Sequence, residues 1–188
     1  MRGKLLAGIS IAILIAIGAI AIYLASTQKP EKIQAPTFHL TSSAFENGEK
    51  IPVKYTCDGL DLSPPLKWEG YPPETKSFAL IVEDPDAPGG TFTHWIIYNI
   101  PAEVNKLEEG IEPIEKLSSG AMQGINDFRK IGYGGPCPPP GKPHRYVFKL
   151  YALDSPLDLK PAASKDALLE AMKGHILAEA TLMGIYSR

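Results

Sequence analysis

Four side chains that can carry charge or hydrogen bonds stand at the ends of apolar runs in this 188-residue chain: Asp84, His94, His144 and Tyr146. A carboxylate beside an imidazole holds one ring tautomer and favours the charged ring. Two imidazoles, a phenol hydroxyl and the amides of the glycine-rich stretch from Gly132 can all donate hydrogen bonds. Together these donors suit an anion about the size of a phosphate or a carboxylate.

Strands must position these groups, because side chains two residues apart share one face of a strand. Strands are predicted over residues 78–84, 93–100 and 145–153. The first two are joined by a short loop rich in proline and glycine, which predicts a hairpin that sets Asp84 beside His94. Strict alternation puts His94 on the face of Ile96, Tyr98 and Ile100.

The third predicted strand also begins at its polar end, with His144 and Tyr146. If it joins the same sheet in register, its polar end meets Asp84 and His94 at one rim of the sheet. The alternative is structural: Asp84 only caps the turn, and the histidines are core residues with satisfied hydrogen bonds. Spacing alone leaves both interpretations open.

Three other chemistries are open to these residues and to Cys137. Asp84, His94 and His144 could supply three metal ligands, but the sequence has no close His-x-His or Cys-x-x-Cys pair. Cys137 could act as a nucleophile near His144, although its neighbouring prolines indicate a structural role. Asp84 and His94 could serve a small hydrolase or phosphoesterase, but no activated nucleophile is evident. We therefore expect no catalytic residues, no metal and no cofactor.

The two cysteines, Cys57 and Cys137, are either paired or separate. An oxidising environment would allow a disulfide between them, but the sequence does not give their distance. Pro88 follows Ala87 in a tight loop, where a cis peptide bond is plausible.

Composition restricts the fold class and the partners. Eighteen prolines and seventeen glycines favour short strands and many turns over long helices. The formal net charge is -2 and no basic patch is present, which argues against a nucleic-acid partner.

The N-terminal part of the chain differs from the rest. Residues 5–24 form an uncharged apolar run long enough to cross a bilayer as a helix. Arg2 and Lys4 precede it, which favours a cytoplasmic N-terminus and an extracytoplasmic domain. We expect residues 1–25 to be a single-pass signal anchor in the cell membrane. The alternative is a cleaved signal peptide and a secreted protein. Residues 26–36 are predicted to be a linker, and residues 37–188 the folded domain.

Shorter elements complete the prediction. Strands are expected over residues 38–41, 51–56 and 66–68. A helix is expected over residues 164–173, with Ser164 as its cap and Gly174 at its end. The tail from His175 is ambiguous, because its apolar residues alternate as in a strand whereas alanine and glutamate favour helix.

An ordered set of short motifs resembles the phosphatidylethanolamine-binding proteins, most closely their bacterial and archaeal YbhB/YbcL-like branch. The resemblance covers residues 37–188. It depends on Tyr55-Thr56-Cys57-Asp58-Gly59, Ser63-Pro64-Pro65-Leu66, Asp84-Pro85-Asp86-Ala87-Pro88, His94-Trp95, Asn126-Asp127, Gly132-Tyr133-Gly134-Gly135-Pro136-Cys137-Pro138-Pro139, His144-Arg145-Tyr146 and the tail from Gly174 to Ala180.

This resemblance implies a mainly β, sandwich-like fold, in which a central antiparallel sheet packs on a smaller sheet with a few peripheral helices. It implies that the tail is a strand. The family's cis-proline position falls on Pro88. The positions of its anion pocket fall on six residues of this sequence: Asp84, His94, Gly135, Pro136, His144 and Tyr146.

The expected function is non-enzymatic binding of a small anion such as phosphate, a phosphomonoester or a phospholipid headgroup. His94 and His144 would donate to the anion, Asp84 would orient His94, and Tyr146 and the Gly135 region would complete the cradle. One departure is Cys137, which stands where eukaryotic members have a second proline after Gly-Pro. The alternative within the resemblance is an inhibitor of serine proteases, or a regulator of another protein partner, that acts through an exposed loop.

Overall fold

The computed structural model describes residues 37–188, and all elements below lie in that range. The predicted membrane anchor over residues 1–25 and the linker over residues 26–36 lie outside the described residues. Between Thr37 and Arg188, no helix is both long and apolar enough to cross a membrane.

Two antiparallel sheets make up most of the described chain. The eight strands are β1 (His39–Thr41), β2 (Leu66–Glu69), β3 (Ser77–Asp84), β4 (Phe92–Pro101), β5 (Lys106–Leu107), β6 (Met122–Gln123), β7 (His144–Leu153) and β8 (Ile176–Tyr186). The described helices are the single α-helix, α1 (Lys165–Met172), and one 3-10 turn, Val53–Tyr55. The five-stranded sheet has the order β6-β4-β3-β7-β8, and the smaller sheet has the order β1-β2-β5.

Strand β3 lies at the centre of the large sheet and is buried along its whole length. One of its faces packs on the smaller sheet, where Phe78 contacts Trp68 edge to face. Its other face shares a second apolar cluster with Leu168 and Met172 of α1. Both faces of β3 are therefore covered, which explains why five consecutive apolar residues, 78–82, follow Ser77 without a polar residue between them.

A bulge in β4 changes the face on which His94 lies. Val82 pairs with Trp95 and Glu83 pairs with Thr93, so His94 is an extra residue with no partner in the ladder. Trp95 and Ile97 belong to the apolar cluster that packs on the smaller sheet, whereas Ile96 and Tyr98 belong to the cluster under α1. The His94 ring contacts Tyr146 of the first cluster. The expectation that His94 shares the face of Ile96 and Tyr98 is therefore wrong.

The structure confirms the predicted fold class, with a central antiparallel sheet on a smaller sheet. The 78–84 and 93–100 hairpin, the strand from residue 145 and the tail strand are all present. Helix α1 begins after Ser164, whose Oγ accepts a hydrogen bond from the Ala167 amide. Gly174 follows with a φ of +80°, which ends the helix as predicted.

One predicted strand, over residues 51–56, is wrong. The segment forms the 3-10 turn Val53–Tyr55, and both the amide and the hydroxyl of Thr56 donate to the Val53 carbonyl. Pro52 has no amide proton for a ladder, so the chain closes a local turn instead. Only the preceding residues reach a strand, as the Ile51 amide donates to the Ile185 carbonyl of β8.

Candidate anion-binding site

A cavity of about 160 Å³ opens at the rim of the large sheet, where β3 ends and β4 and β7 begin. A cavity of this size has room for several water molecules or a small polyatomic group. Three of its lining residues are ionisable, and the others are mostly apolar. The full set is Asp84, Ala87, Pro88, Phe92, His94, Phe128, Cys137, Pro138, Pro139 and His144.

Asp84 is buried and pairs with His144. The Nδ1 atom of His144 lies 2.7 Å from Oδ2 of Asp84, and the Asp86 amide donates to Oδ1 of Asp84 at 2.8 Å. The expectation that Asp84 orients His94 is therefore corrected, because its partner is His144. The reason is the bulge: Asp84 stands opposite Phe92 in the ladder, and His94 is displaced from the paired position.

His94 is held by the glycine-rich loop and by aromatic rings. Its Nδ1 donates to the Gly134 carbonyl at 2.6 Å, while the Gly134 amide donates to the His94 carbonyl. Tyr146 and Phe128 contact the imidazole edge to face, with centroid distances of 5.1 Å and 5.3 Å. Burial lowers the pKa of His94, although the bond to Gly134 and the charge of Asp84 oppose this shift. The free protein therefore holds this ring in its neutral form at neutral pH.

Tyr146 packs against the His94 ring with 1% of its surface exposed. Within residues 37–188 its buried hydroxyl has no hydrogen-bond partner. Burial, together with the negative charge of Asp84, raises the pKa of Tyr146 well above its ordinary value. The hydroxyl therefore stays protonated and remains available as a donor.

The contribution of Gly135 and Pro136 to the cradle stays a prediction, and the structure gives both residues partners within the protein. The Gly135 amide donates to Oδ1 of Asp61 at 2.6 Å, so it is already occupied. Pro136 has no amide proton, and its carbonyl accepts a bond from the Cys57 amide at 3.1 Å. Asp61 has a φ of +56°, a left-handed conformation that aspartate adopts more readily than most residues.

Cys57 and Cys137 form a disulfide across a separation of 80 residues. The bond joins the turn after Val53–Tyr55 to the loop that precedes β7, and Cys137 lines the cavity. A disulfide sulfur is not a thiolate, so the Cys137 nucleophile hypothesis does not hold for this structure.

The peptide bond before Pro88 is trans, as are the other peptide bonds of the described chain, which corrects the expectation of a cis bond. The trans form of an X-Pro bond is favoured by about 0.5–1 kcal/mol. The loop closes without a cis bond because the Gly90 amide donates to the Ala87 carbonyl at 3.0 Å. Gly90 has a φ of +102°, which supplies the reversal of direction.

An exposed ion pair fixes the loop that carries Ala87 and Pro88. Arg145 donates through Nε and Nη2 to the carboxylate of Asp86 at 2.8 Å and 2.7 Å. These bonds from Arg145 lower the pKa of Asp86 to about 2. The pair therefore stays charged over the physiological range and ties one cavity wall to β7.

Sequence reasoning did not identify the apolar walls of the cavity. Phe92 stands two residues before His94 at the start of β4, and its ring lies 5.2 Å from the imidazole. Phe128 comes from the segment between β6 and β7 and packs edge to face on Phe92 at 4.7 Å. The spacing of Phe92 and His94 was a signal available in the sequence, but the position of Phe128 depends on a long-range loop contact.

The metal alternative has no support in the described part of the chain. Between Thr37 and Arg188, no three His, Cys, Asp or Glu side chains are grouped closely enough to hold a metal ion. The Nδ1 atoms of His94 and His144 are also committed to hydrogen bonds within the protein.

Curated relatives of similar sequence come from archaea and bacteria. The UPF0098 protein of Methanothermobacter thermautotrophicus is 54% identical over 150 residues, which cover 80% of this chain and 99% of the relative. The UPF0098 protein of Aquifex aeolicus is 52% identical over 149 residues, covering 78% of this chain and 86% of the relative.

Solved structures agree with these relatives. A phosphatidylethanolamine-binding protein homologue from Chlamydia trachomatis matches with a TM-score of 0.75 and 46% identity, covering 81% of this chain and 99% of the homologue. Escherichia coli YbcL, described as a member of the mammalian family of these proteins, matches with a TM-score of 0.75 and 38% identity, covering 80% and 98%.

The family model for phosphatidylethanolamine-binding proteins matches residues 41–187, nearly the whole described domain. The bacterial and archaeal relatives agree with the branch that the motifs resemble. On this evidence the chain belongs to the phosphatidylethanolamine-binding protein family.

Proposed function

We propose that the protein binds a small phosphate-like anion in the rim cavity, without chemical turnover. The supporting observation is a set of polar groups that line the cavity or lie next to it and have unused hydrogen-bonding capacity. Within residues 37–188 the buried Tyr146 hydroxyl has no hydrogen-bond partner, and His94 and His144 bond the protein through Nδ1, which leaves Nε2 for a ligand. Buried polar groups are usually paired, and an unpaired one costs about 1–3 kcal/mol. An anion that pairs with them would recover that cost.

The cavity walls favour an anionic group attached to an organic substituent. Inorganic phosphate would contact only the polar groups of the site. The organic substituent of a phosphomonoester or a phospholipid headgroup would also lie against the rings of Phe92 and Phe128. Phosphate is the shared chemistry of these ligands, and the binding experiment separates them by substituent.

A binding role is favoured over catalysis by the residues that line the cavity. No serine, threonine or lysine is among them, and Cys137 is in a disulfide. The carboxylate of Asp84 is engaged by His144 and by the Asp86 amide. Covalent catalysis requires a nucleophile with an adjacent base, and this cavity offers no such pair.

We also propose that residues 1–25 anchor the protein in the membrane and that the domain is extracytoplasmic, with secretion after cleavage as the alternative. The uncharged run over residues 5–24, preceded by Arg2 and Lys4, supports this location. The disulfide agrees with an oxidising compartment. Protease treatment of intact cells tests the proposal: digestion of the domain is expected, and full protection would contradict it.

The binding test is the thermal stability of the full-length chain in detergent, with increasing phosphate, phosphoethanolamine or phenyl phosphate. A ligand at 100 times its dissociation constant stabilises the native state by about 2.7 kcal/mol. We expect stabilisation of the wild type and its loss in His94→Ala. His39→Ala is the matched control, because His39 is exposed on β1 of the smaller sheet.

Stabilisation of equal size in wild type and His94→Ala would refute the role of His94. Absence of stabilisation by all three anions in the wild type would refute anion binding and would direct attention to protein partners such as serine proteases.

A further inference from the structure

Both cavity histidines use the same ring nitrogen to bond the protein. Nδ1 of His94 lies 2.6 Å from the Gly134 carbonyl oxygen, and Nδ1 of His144 lies 2.7 Å from Oδ2 of Asp84. A carbonyl oxygen and an ionised carboxylate can only accept hydrogen bonds, so each Nδ1 must carry the proton. In both rings, Nε2 is the nitrogen left for a ligand.

A neutral imidazole with a proton on Nδ1 has a lone pair on Nε2 and can only accept there. The oxygens of a phosphomonoester dianion are also only acceptors. Two acceptors cannot form a hydrogen bond, and their like partial charges repel. Each contact between Nε2 and a phosphate oxygen therefore needs one proton that neither the neutral ring nor the dianion carries.

We propose that anion binding at this cavity is coupled to proton uptake, so that the bound state holds a proton between the phosphate group and the Nε2 of His94 or His144. This inference deepens the proposed function and depends on it. The site would then favour the acid form of a phosphate-like ligand and would release that ligand as pH rises. A fixed cradle of amides or arginines would show no such coupling.

The surroundings of His94 keep its proton affinity low before the ligand arrives. Burial lowers its pKa, and the rings of Phe128 and Tyr146 cover it from two sides. The carboxylates that face it, Asp84 and Asp127, act in the opposite direction. An incoming anion adds negative charge beside the ring and so favours the imidazolium.

His144 has a different set of charged neighbours. Asp84 bonds it directly, and Asp86 lies close enough for its charge to be felt. The positive charge of Arg145 is paired with Asp86. Tyr186 of β8 stands opposite His144 in the ladder, and its hydroxyl donates to Asp58. Asp84 is therefore the charged group that contacts this ring directly, and it holds the Nδ1 proton.

The proton has two sources, and the reaction balances with either. A phosphomonoester has a second pKa near 6, so its monoanion brings one proton at acid pH. At higher pH the dianion binds, and the proton comes from solvent. A sulfate monoester carries no proton in this range, so its affinity reports the histidines alone.

The test is calorimetric titration of the full-length chain in detergent with phenyl phosphate at pH 7.5, in buffers with different ionisation enthalpies. The dependence of the binding heat on the buffer gives the number of protons taken up. We expect about one proton or more per ligand, and an affinity that falls about tenfold per pH unit above neutrality. Zero uptake, or proton release, would overturn the inference.

The double variant His94→Gln, His144→Gln separates proton coupling from a purely structural role. Glutamine carries an amide donor that does not titrate. We expect proton uptake near zero and an affinity that is nearly independent of pH. Uptake equal to that of the wild type would overturn the inference.

A measurement on the wild type covers the case in which the double variant does not fold. Nitrogen-15 chemical shifts of the histidine rings should show Nδ1–H tautomers without ligand and a protonated Nε2 with phenyl phosphate at pH 7.5. Two neutral rings together with a dianionic phosphate group in the saturated complex would overturn the inference. Absence of binding between pH 5 and 8 would remove the proposed function as well, whereas binding without proton uptake would remove the coupling alone.

Discussion

Glu83 and Asp84 are neighbours on β3, yet they point to opposite faces of the sheet and meet opposite environments. Glu83 lies on the α1 face, where Lys149 and Lys165 donate to its two oxygens at 2.9 Å and 3.0 Å. Burial acts to raise the pKa of Glu83, but the bonds from the two lysines give a net lowering. Asp84 lies on the cavity face, where its main partner is His144.

The two carboxylates differ in whether the polar groups around them have all their hydrogen bonds satisfied within the protein. Both oxygens of Glu83 accept hydrogen bonds from lysines, so this carboxylate has no unpaired oxygen to offer a ligand. The partner of Asp84 is the imidazole of His144, and the nearby Tyr146 hydroxyl has no hydrogen-bond partner in the described chain. A saturated cluster of buried charges holds a structure together, whereas an unsaturated one has capacity left for a ligand.

The disulfide reinforces only the cavity side of this comparison, and its removal should have the largest effect. Cys57→Ser with Cys137→Ser frees a loop of 80 residues, which the chain-entropy model values at about 4 kcal/mol of unfolding free energy. Urea denaturation of oxidised and variant protein measures this loss. We also expect weaker anion binding, because Cys137 lines the cavity. A loss below about 1 kcal/mol would show that other contacts hold this wall.

The matched pair Asp84→Asn and Glu83→Gln tests the comparison directly. Both changes remove one buried negative charge with little change in shape. We expect Asp84→Asn to weaken phenyl phosphate binding about tenfold or more, because His144 loses the carboxylate that orients its ring through Nδ1. Glu83→Gln should leave binding within about twofold and lower the unfolding free energy by about 2 kcal/mol. Equal effects of the two variants on binding would break the distinction between the two faces.

The ligand-free protein should lose stability as pH falls below the ordinary histidine pKa of about 6.5. Because the pKa of His94 is lowered in the folded state, the unfolded chain binds more protons in this range, and stability increases with pH. The slope is at most about 1.4 kcal/mol per pH unit for one proton. Denaturation from pH 6.5 to pH 5 measures it, above the range in which Glu83 and Asp86 titrate. His94→Gln should flatten this dependence, and an unchanged slope would assign it to another group.

The smallest expected effect is on the α1 side. Ser164→Ala removes the cap of the helix that carries Lys165 and should lower the unfolding free energy by about 1 kcal/mol. For a domain of this size the melting temperature should fall by about 2–4 °C. Ser118→Ala, at an exposed position, is the control. Anion affinity should be unchanged in both variants, and a change in Ser164→Ala would show that the two faces are coupled.

Much of the fold could be predicted because its strands carry strong local signals. The run into Asp84, the Pro/Gly loop and the run after His94 predicted the β3–β4 hairpin, and Ser164 with Gly174 bounded α1. The segment over residues 51–56 could not be predicted from β-forming residues alone. The structure of this segment depends on a local turn at Thr56 and on the hydrogen bond between Ile51 and the edge of β8.

The site was only partly predictable for a similar reason. Residue types and strand ends brought Asp84, His94, His144 and Tyr146 to one rim. The role of each group depends on interatomic distances in the folded protein, which the spacing of residues along the sequence does not give. Asp84 pairs with His144, and Asp61 occupies the amide of Gly135.

The residue types at the rim follow from the sequence alone, because side-chain type and strand period are local properties. The motifs that identify the family are also read from the sequence. Which of these groups contact one another depends on the tertiary structure. One extra residue in β4 turns His94 to the cavity, and a long-range loop brings Phe128 against it. A bulge forms only when two strands pair, so its effect on His94 is set by the partner strand and not by the residues around it.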